Sequence, residues 1–447
     1  MHANGFVQLI FRRRDRHHTH QRGRALALTR TVVFVSTLWF QTQFVQLWMP
    51  RLQLLVTLLP ALALSGMRRA DRAALISFYN LLGGPHWLNS DGWHVDDPTS
   101  DPCDPQTRWR GVGCIDPCDS WIDGPDCAFG RVTALNLRSN NLTGSITNWT
   151  GIGDLHNLTW LDLSFNSISG SLPAEIGEIQ NIAAISLKNN HLEGQIPDAI
   201  GNINSNGNEK LSELNMERNS LQGTLPSSLG RHDGLLVLQL GFNRISGTIP
   251  AQLTNLTVVQ VLHLQFNRLE GTIPEDLGQM IAMRYLNLTT NNISGTLPPS
   301  IGNMQDLADL SLSENRLTGS VPLEIGSLST LRHLRMHNNA LNGNLTALST
   351  LGGLRSLLTF DLYANHMHGD VPPSIQDLVS LQYLYLDNQH YGPLRQYYCG
   401  QRIPNNGKYN YRIVRDEYLT MTSTPCDNMY DTNFAFSSLQ ESGVYAL

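Results

Sequence analysis

The chain has 447 residues, with 31 lysines and arginines against 37 acidic residues, a formal net charge of −6 and six cysteines. This length exceeds one small compact domain unless the chain is elongated or repetitive. Eleven arginines lie within residues 1–72, so the rest of the chain is acidic. An acidic body lacks the basic patch that nucleic-acid binding requires, and no nucleic-acid partner is expected.

The N-terminal segment is interpreted as targeting material. Residues 49–66 have the form of a secretory signal peptide, with a basic start, an apolar run and small residues before the cleavage region. On this interpretation Met49 starts the protein, and residues 1–48 are a misannotated upstream extension or an N-terminal tail. The alternative is a membrane anchor over about residues 32–64. The sequence leaves both open.

Cysteine usage agrees with export, because clustered, even-numbered cysteines in an exported chain favour disulfides. The most local pairing joins Cys103 to Cys114, Cys118 to Cys127, and Cys399 to Cys426, although the sequence alone does not fix it. A zinc site among the first four is disfavoured, since they contain no CxxC pair and no histidine lies among them.

One motif recurs from residue 132 onward, mostly every 24 residues, as in LDLSFNSISGSLP at 161–173. A period in this range predicts a stacked solenoid. The alternation LxL predicts a short strand with two side chains pointing inward, and successive strands then form a parallel sheet. The segment after each proline is expected to run back irregularly and to cover the inner face of the sheet.

An asparagine follows each predicted strand, where the chain turns and leaves backbone groups unpaired. A buried amide offers both donors and an acceptor, so these side chains are predicted to tie neighbouring turns together. They are Asn166, Asn190, Asn219, Asn243, Asn267, Asn291, Asn315, Asn339 and Asn365.

The motif resembles the plant-type leucine-rich repeat, LxxLxLxxNxLxGxIPxxIGxLxx, over about residues 132–390. Residues 67–131 resemble the N-terminal cap of that family, with a short amphipathic helix at 71–82 and WRGVGC at 109–114. The resemblance implies an α/β repeat fold: a right-handed solenoid of about eleven repeats with a concave parallel β-sheet and disulfide-bonded caps.

Four segments depart from the family pattern. Residues 116–127 add a second cysteine loop to the cap, and residues 202–210 and 349–356 lengthen two repeats. Both insertions are interpreted as tolerated surface loops. Residues 391–447 are predicted to be a C-terminal cap because of their position and their two cysteines.

No metalloprotease, hydrolase, P-loop or kinase signature occurs in the sequence. Arg332, His333, Arg335 and His337 are expected to converge around one strand. A metal or pH-sensing site is conceivable there, but a polar basic patch on a binding surface is the favoured interpretation. The chain is therefore predicted to be non-catalytic, without a metal or another cofactor.

The exposed strand positions carry the functional prediction. In the opening motif, Trp160, Asp162, Ser164 and Phe165 remain free once the core is assigned. Aromatic and arginine side chains on a rigid sheet are typical binding hot spots. An equal alternative for Phe165, Phe242 and Phe266 is packing against neighbouring repeats. The predicted ligand-binding residues of the concave face are Trp160, Phe165, Arg218, Phe242, Phe266, Tyr285, His333, Arg335, His337, Tyr363 and Tyr385.

Seven glycosylation sequons are predicted to carry sugars: Asn141, Asn148, Asn157, Asn255, Asn287, Asn292 and Asn344. Asn287 should point out of the sheet. A sugar there would divide the concave face in two.

The resemblance to plant receptor ectodomains and polygalacturonase-inhibitor-like proteins implies a secreted or cell-surface recognition protein. We expect a protein, peptide or glycan ligand on the concave face, and a membrane co-receptor as a further partner. Two alternatives remain: a structural cell-wall or matrix glycoprotein, and a receptor-like protein anchored in the membrane by its N-terminal segment.

Overall fold

The structure is a computed structural model that describes residues 70–104, 106–115, 131–205, 210–345, 348–369 and 372–386. The predicted signal segment, the extra cysteine loop with Cys118 and Cys127, and the predicted C-terminal cap with Cys399 and Cys426 lie outside the described residues. The pairings predicted for those four cysteines therefore stay predictions.

A helix over residues 70–81 opens the described part, one residue earlier at each end than predicted. Its Phe78 packs against Trp149 of the first repeats, with the ring centroids 4.5 Å apart. The indole of Trp149 donates to the carbonyl of Ala74 at 3.0 Å, so the cap helix covers the end of the repeat core. Among the residues that the structure describes, no helix is long and apolar enough to cross a membrane.

A disulfide fixes the strand that joins this cap to the sheet. The sulfurs of Cys103 and Cys114 are bonded, with the Cα atoms 5.7 Å apart. Cys114 lies in the strand Val112–Ile115, which pairs antiparallel with the first repeat strand. The cap is therefore joined to the repeats through backbone hydrogen bonds as well as through packing.

Within the described residues, twelve strands form the main sheet, and all pairings except the first are parallel. Numbered in chain order, they are β1 (Val112–Ile115), β2 (Arg131–Asn136), β4 (Trp160–Asp162), β6 (Ala184–Ser186), β8 (Glu213–Asn215), β9 (Val237–Gln239), β11 (Val261–His263), β13 (Tyr285–Asn287), β15 (Asp309–Ser311), β17 (His333–Arg335), β19 (Thr359–Asp361) and β21 (Tyr383–Tyr385). The order in the sheet follows the order in the chain, as a solenoid predicts.

The pairing of these strands places equivalent residues of successive repeats side by side. Leu262 of β11 lies opposite Leu238 of β9 and Leu286 of β13. All three are buried, at 1% exposure or less. Because the register is constant, each position of the motif forms a continuous column of side chains across the repeats.

Short strands also form two flanking sheets, which the sequence did not predict. They are β3 (Thr143–Ser145), β5 (Ser167–Gly170) and β7 (His191–Leu192) in one sheet, and β10 (Ser246–Thr248), β12 (Arg268–Thr272), β14 (Asn292–Gly295), β16 (Arg316–Gly319), β18 (Ala340–Asn344) and β20 (His366–His368) in the other. Gly271 shows why glycine recurs here: its φ is +76°, and a Cβ would lie 2.7 Å from the Thr248 methyl carbon.

The return segments are regular 3₁₀ turns rather than the irregular stretches that were expected. A proline caps most of them, and its fixed φ suits the entry to such a turn. The return segments are Thr150–Asp154, Ala174–Glu178, Asp198–Asn202, Ser227–Arg231, Ala251–Asn255, Glu275–Gln279, Pro299–Asn303, Leu323–Ser327, Ser349–Gly353 and Pro373–Asp377. A further 3₁₀ turn, Gly84–His86, lies in the N-terminal cap.

The asparagine column has the structural role that was predicted for it. Asn267 accepts the backbone N–H of Ile245 at 3.0 Å. Its amide nitrogen donates to the carbonyls of Leu240, 3.0 Å away, and Leu264, 3.1 Å away. One side chain thus satisfies two groups of the preceding repeat and one of its own.

Replacing Asn267 by alanine is expected to lower the free energy of unfolding by roughly 1–3 kcal/mol, because it orphans these half-buried backbone groups. Urea denaturation followed by circular dichroism measures the change. Asn303→Ala is the matched control, because Asn303 ends a 3₁₀ turn with its side chain exposed. An equal loss in the two variants would contradict the assigned role.

Candidate functional site

Each repeat presents four side chains on the outer side of the main sheet. In the second repeat they are Trp160, Asp162, Ser164 and Phe165. We call the surface formed by these and by the equivalent residues of other repeats the main-sheet face; it is the face predicted to be concave. The expectation that all four are free is wrong, because only Trp160 and Phe165 are exposed, at 44% and 41%. Asp162 and Ser164 are buried, and the Ser164 hydroxyl donates to the Asp162 carboxylate at 2.6 Å.

Among the described residues, exposed aromatic side chains lie only on the main-sheet face and its edge. In the described part of the chain, those with at least 36% exposure are Trp160, Phe165, Phe266, Tyr285, Tyr363 and Tyr383. Tyr385 is half-buried and stacks on Tyr383, with ring centroids 6.4 Å apart. Exposed large aliphatic residues, in contrast, also occur elsewhere, as at Leu88 and Leu323.

One edge of this face is a column with left-handed backbone. We call it the edge column. It consists of the residue directly before each asparagine of the asparagine column, and we call those asparagines the ladder asparagines. Its members, with φ between 51° and 58°, are Phe165, Asn189, Arg218, Phe242, Phe266, Thr290, Glu314, Asn338 and Ala364. This conformation lets two consecutive N–H groups reach the next repeat. The N–H of Phe266 donates to Thr289 and that of Asn267 to Thr290.

The central edge-column residues stack on one another. The guanidinium carbon of Arg218 lies 4.1 Å from the Phe242 ring centroid. Phe242 and Phe266 are parallel to within 13°, with centroids 4.5 Å apart. Arg138 covers Phe165 in the same way at 4.3 Å. The alternative that these phenylalanines pack against neighbouring repeats therefore holds for Phe242 and Phe266, although Phe266 remains 44% exposed.

A buried polar network crosses the middle of the main-sheet face. Lys188 pairs with Glu217 at 2.6 Å, and the amide of Gln265 donates to the other Glu217 oxygen at 3.3 Å. Gln265 reaches across the intervening repeat because that repeat has Gly241, where a Cβ would lie 2.7 Å from the Gln265 amide. The sequence alone did not reveal this network. Its one trace in the sequence is Gly241, which lies among larger side chains in the column of Lys188, Glu217 and Gln265.

A parallel network joins the adjacent column. Asn215 donates to Gln239 at 2.6 Å, and the Gln239 amide contacts His263 Nδ1 at 3.2 Å. Together the two networks fix polar side chains of four consecutive repeats.

Two of the four residues of the basic patch predicted in the later repeats pair with carboxylates. Arg335 pairs with Asp309, and His337 Nδ1 with Asp361, both at 2.8 Å. The Ser313 hydroxyl contacts the same Nδ1 of His337 at 2.9 Å. In a catalytic triad serine and carboxylate use opposite nitrogens of the imidazole, so this group is not a triad. The described residues contain no cluster of three or more His, Cys, Asp or Glu side chains that could hold a metal.

The predicted glycosylation sites differ in exposure. Asn141, Asn148, Asn255 and Asn344 are exposed, whereas Asn157, Asn287 and Asn292 are half-buried. Asn287 lies on β13 between His263 and Ser311 of the neighbouring strands. Its side-chain Oδ1 accepts the backbone N–H of Thr289 at 3.0 Å. It therefore lies on the main-sheet face as expected, and its glycan stays a prediction.

Comparison with known proteins agrees with this architecture. Residues 242–354 match the leucine-rich repeat region, residues 69–115 the leucine rich repeat N-terminal domain, and residues 157–179 and 210–232 the single leucine rich repeat. The probable inactive receptor kinase RLK902 of Arabidopsis thaliana is 38% identical over 108 residues. That match covers 24% of this chain and 13% of the relative.

Two solved ectodomains are similar over most of the chain. That of GASSHO1/SCHENGEN3 from Arabidopsis thaliana, in complex with CASPARIAN STRIP INTEGRITY FACTOR 2, is 32% identical with a TM-score of 0.60, covering 72% of this chain and 36% of that one. The Arabidopsis receptor kinase HAESA, in complex with the peptide hormone IDA and the co-receptor SERK1, is 30% identical with a TM-score of 0.57, covering 70% and 48%.

Two histidines of the main-sheet face are held towards their neutral form. Burial lowers the pKa of His263. Burial also lowers the pKa of His333, and the neighbouring Arg335 guanidinium lowers it further. We expect both imidazoles to titrate below about 6.5, the ordinary value. Long-range ¹H–¹⁵N spectra over a pH series measure this, with signals assigned through His263→Gln and His333→Gln. Titration of either histidine above that value would contradict the described burial.

Proposed function

Because the chain carries leucine-rich repeats homologous to those of plant receptor-kinase ectodomains, we propose that it recognises an extracellular peptide on its main-sheet face. The observation that carries the proposal is that, in the described part of the chain, the exposed aromatic side chains lie on that face and its edge. Aromatic residues on a protein surface cost free energy in solvation and are enriched in binding hot spots.

The networks beneath this surface support recognition by a rigid face. Glu217 and Gln265 are buried and hydrogen-bonded across repeats, so these polar side chains of the main-sheet face are ordered before a ligand binds. A preorganised surface loses little side-chain entropy on binding. Trp160, Tyr285 and Tyr383 are exposed at equivalent positions of separate repeats on either side of this network, which suits an extended chain lying across the strands.

The proposed partners follow the similar ectodomains. A peptide is preferred over a glycan because the two similar structures hold CASPARIAN STRIP INTEGRITY FACTOR 2 and a peptide hormone. A membrane co-receptor is the second proposed partner, because HAESA is bound to SERK1 in its structure. We place the protein outside the cell or at its surface, and the Cys103–Cys114 disulfide supports an oxidising compartment.

The proposed role is binding without catalysis. Receptor-like ectodomains with leucine-rich repeats are typically non-catalytic. The arrangement around His337 supports the same conclusion, because Ser313 and Asp361 compete for one imidazole nitrogen. On this proposal the protein acts by binding a peptide and presenting it to a co-receptor.

The test is affinity capture from extracellular fluid of the source organism with the secreted full chain. One saturable peptide partner is expected. Trp160→Ala and Arg335→Ala should each weaken its binding by about tenfold or more, as hot-spot truncations do. Isothermal titration calorimetry with the captured peptide measures the change.

Arg355→Ala is the charge-matched control, because Arg355 is exposed in the turn after the 3₁₀ segment Ser349–Gly353. Its binding should equal that of the unmodified chain. A structural matrix glycoprotein would show multivalent, non-saturating capture that ignores the substitutions at Trp160 and Arg335, and that result would overturn the proposal.

A further inference from the structure

The ring stack of the edge column ends abruptly at Phe266. One face of Phe242 is covered by the Arg218 guanidinium at 4.1 Å, and its other face by the ring of Phe266 at 4.5 Å. The next residue of the column is Thr290, whose side chain is too short to continue the stack. Phe266 therefore presents a ring face towards the seventh repeat and is 44% exposed.

A carboxylate stands on the far side of this gap. The Glu314 side chain folds back towards the seventh repeat, since its Oε2 accepts the Thr290 hydroxyl at 2.9 Å. Among the described residues, no Lys, Arg or His side chain lies within 4.0 Å of the Glu314 carboxylate. Neighbouring strands are about 4.8 Å apart, and between Phe266 and Glu314 the edge column holds only the short side chain of Thr290.

The protein already fills equivalent gaps with guanidinium groups. Arg218 lies flat on Phe242, and Arg138 on Phe165, at 4.1 Å and 4.3 Å from the ring centroids. Each case pairs a cation with the negative face of an aromatic ring. The open face of Phe266 is the remaining ring face of this stack, and it is the one beside a carboxylate.

We propose that the ligand places a guanidinium group, an arginine side chain, flat on the open face of Phe266 above Thr290, where it pairs with Glu314. The inference rests on the proposed function and names one chemical feature that its peptide must carry. Guanidinium fits better than an ammonium because it is planar, stacks on rings and carries a permanent positive charge that the Glu314 carboxylate attracts.

Positive charge on the flanking sheet sets the direction of approach. Arg268, Arg316 and Glu270 line a groove of about 730 Å³ that Thr290 also lines. Because the two arginines outnumber the single carboxylate, the groove is net positive and disfavours the entry of a cation. We therefore expect the ligand arginine to reach Phe266 from the main-sheet side, where Tyr285 is exposed.

The experiment selects peptides from a displayed random library on the secreted full chain, before and after enzymatic removal of N-linked sugars. The selected peptides are expected to contain arginine. Replacing that arginine by citrulline, its neutral counterpart of the same shape, should weaken binding by about tenfold. Titration calorimetry at two salt concentrations measures the affinities.

A double-mutant cycle locates the contact. On Phe266→Leu protein, and on Glu314→Gln protein, the arginine and citrulline peptides should bind equally within about twofold. Phe165→Leu is the matched control, because Phe165 has the same left-handed backbone and 41% exposure. This change is expected to lower the affinity for both peptides alike, so the tenfold preference for arginine should persist. Glu314→Gln alone decides the outcome if Phe266→Leu does not fold, since Glu314 is exposed.

The results separate this inference from the proposed function. Peptides whose binding is weakened by Trp160→Ala, but which bind equally well with citrulline, overturn the guanidinium site and leave the proposed function standing. An arginine preference that survives both Phe266→Leu and Glu314→Gln also overturns it. The absence of any peptide whose binding depends on the main-sheet face overturns both.

Discussion

The hydrogen bonds of the ladder asparagines hold the repeats in one register, and the rest of the structure depends on that register. Each asparagine bonds to backbone groups of the preceding repeat and of its own turn, as Asn267 does with Ile245, Leu240 and Leu264. A slip of one residue would turn every leucine of a strand to the opposite face. The asparagine column prevents this because its donors and acceptor fit only one alignment.

The constant register imposes left-handed backbone at the edge of the sheet and aligns the side chains there. The residue before each ladder asparagine must adopt left-handed backbone so that two successive N–H groups can bond to the next repeat. The same geometry lines those side chains up as a column. Arg218, Phe242 and Phe266 can stack only because each lies one strand spacing from the next.

The main-sheet face combines a buried polar network with separate exposed aromatic residues. Lys188, Glu217 and Gln265 are linked across four repeats and leave few polar groups free to rearrange. Arg335 is held by Asp309, which limits what the basic patch can do on its own. Trp160, Phe266 and Tyr285 remain exposed on the same face. A rigid surface with a few aromatic anchors is suited to selective binding of an extended ligand.

The sequence by itself determined the repeat period, the buried leucines, the role of asparagines such as Asn267, and the column to which each candidate side chain belongs, because these follow from local alternation and a 24-residue spacing. It could not reveal that Asp162 and Ser164 bond to each other below the surface, or that Gln265 reaches Glu217 past Gly241. Such contacts depend on side-chain direction and on residues that are distant in the chain. Only stacking of the repeats decided which exposed positions became structural pairs and which, like the outer face of Phe266, stayed open.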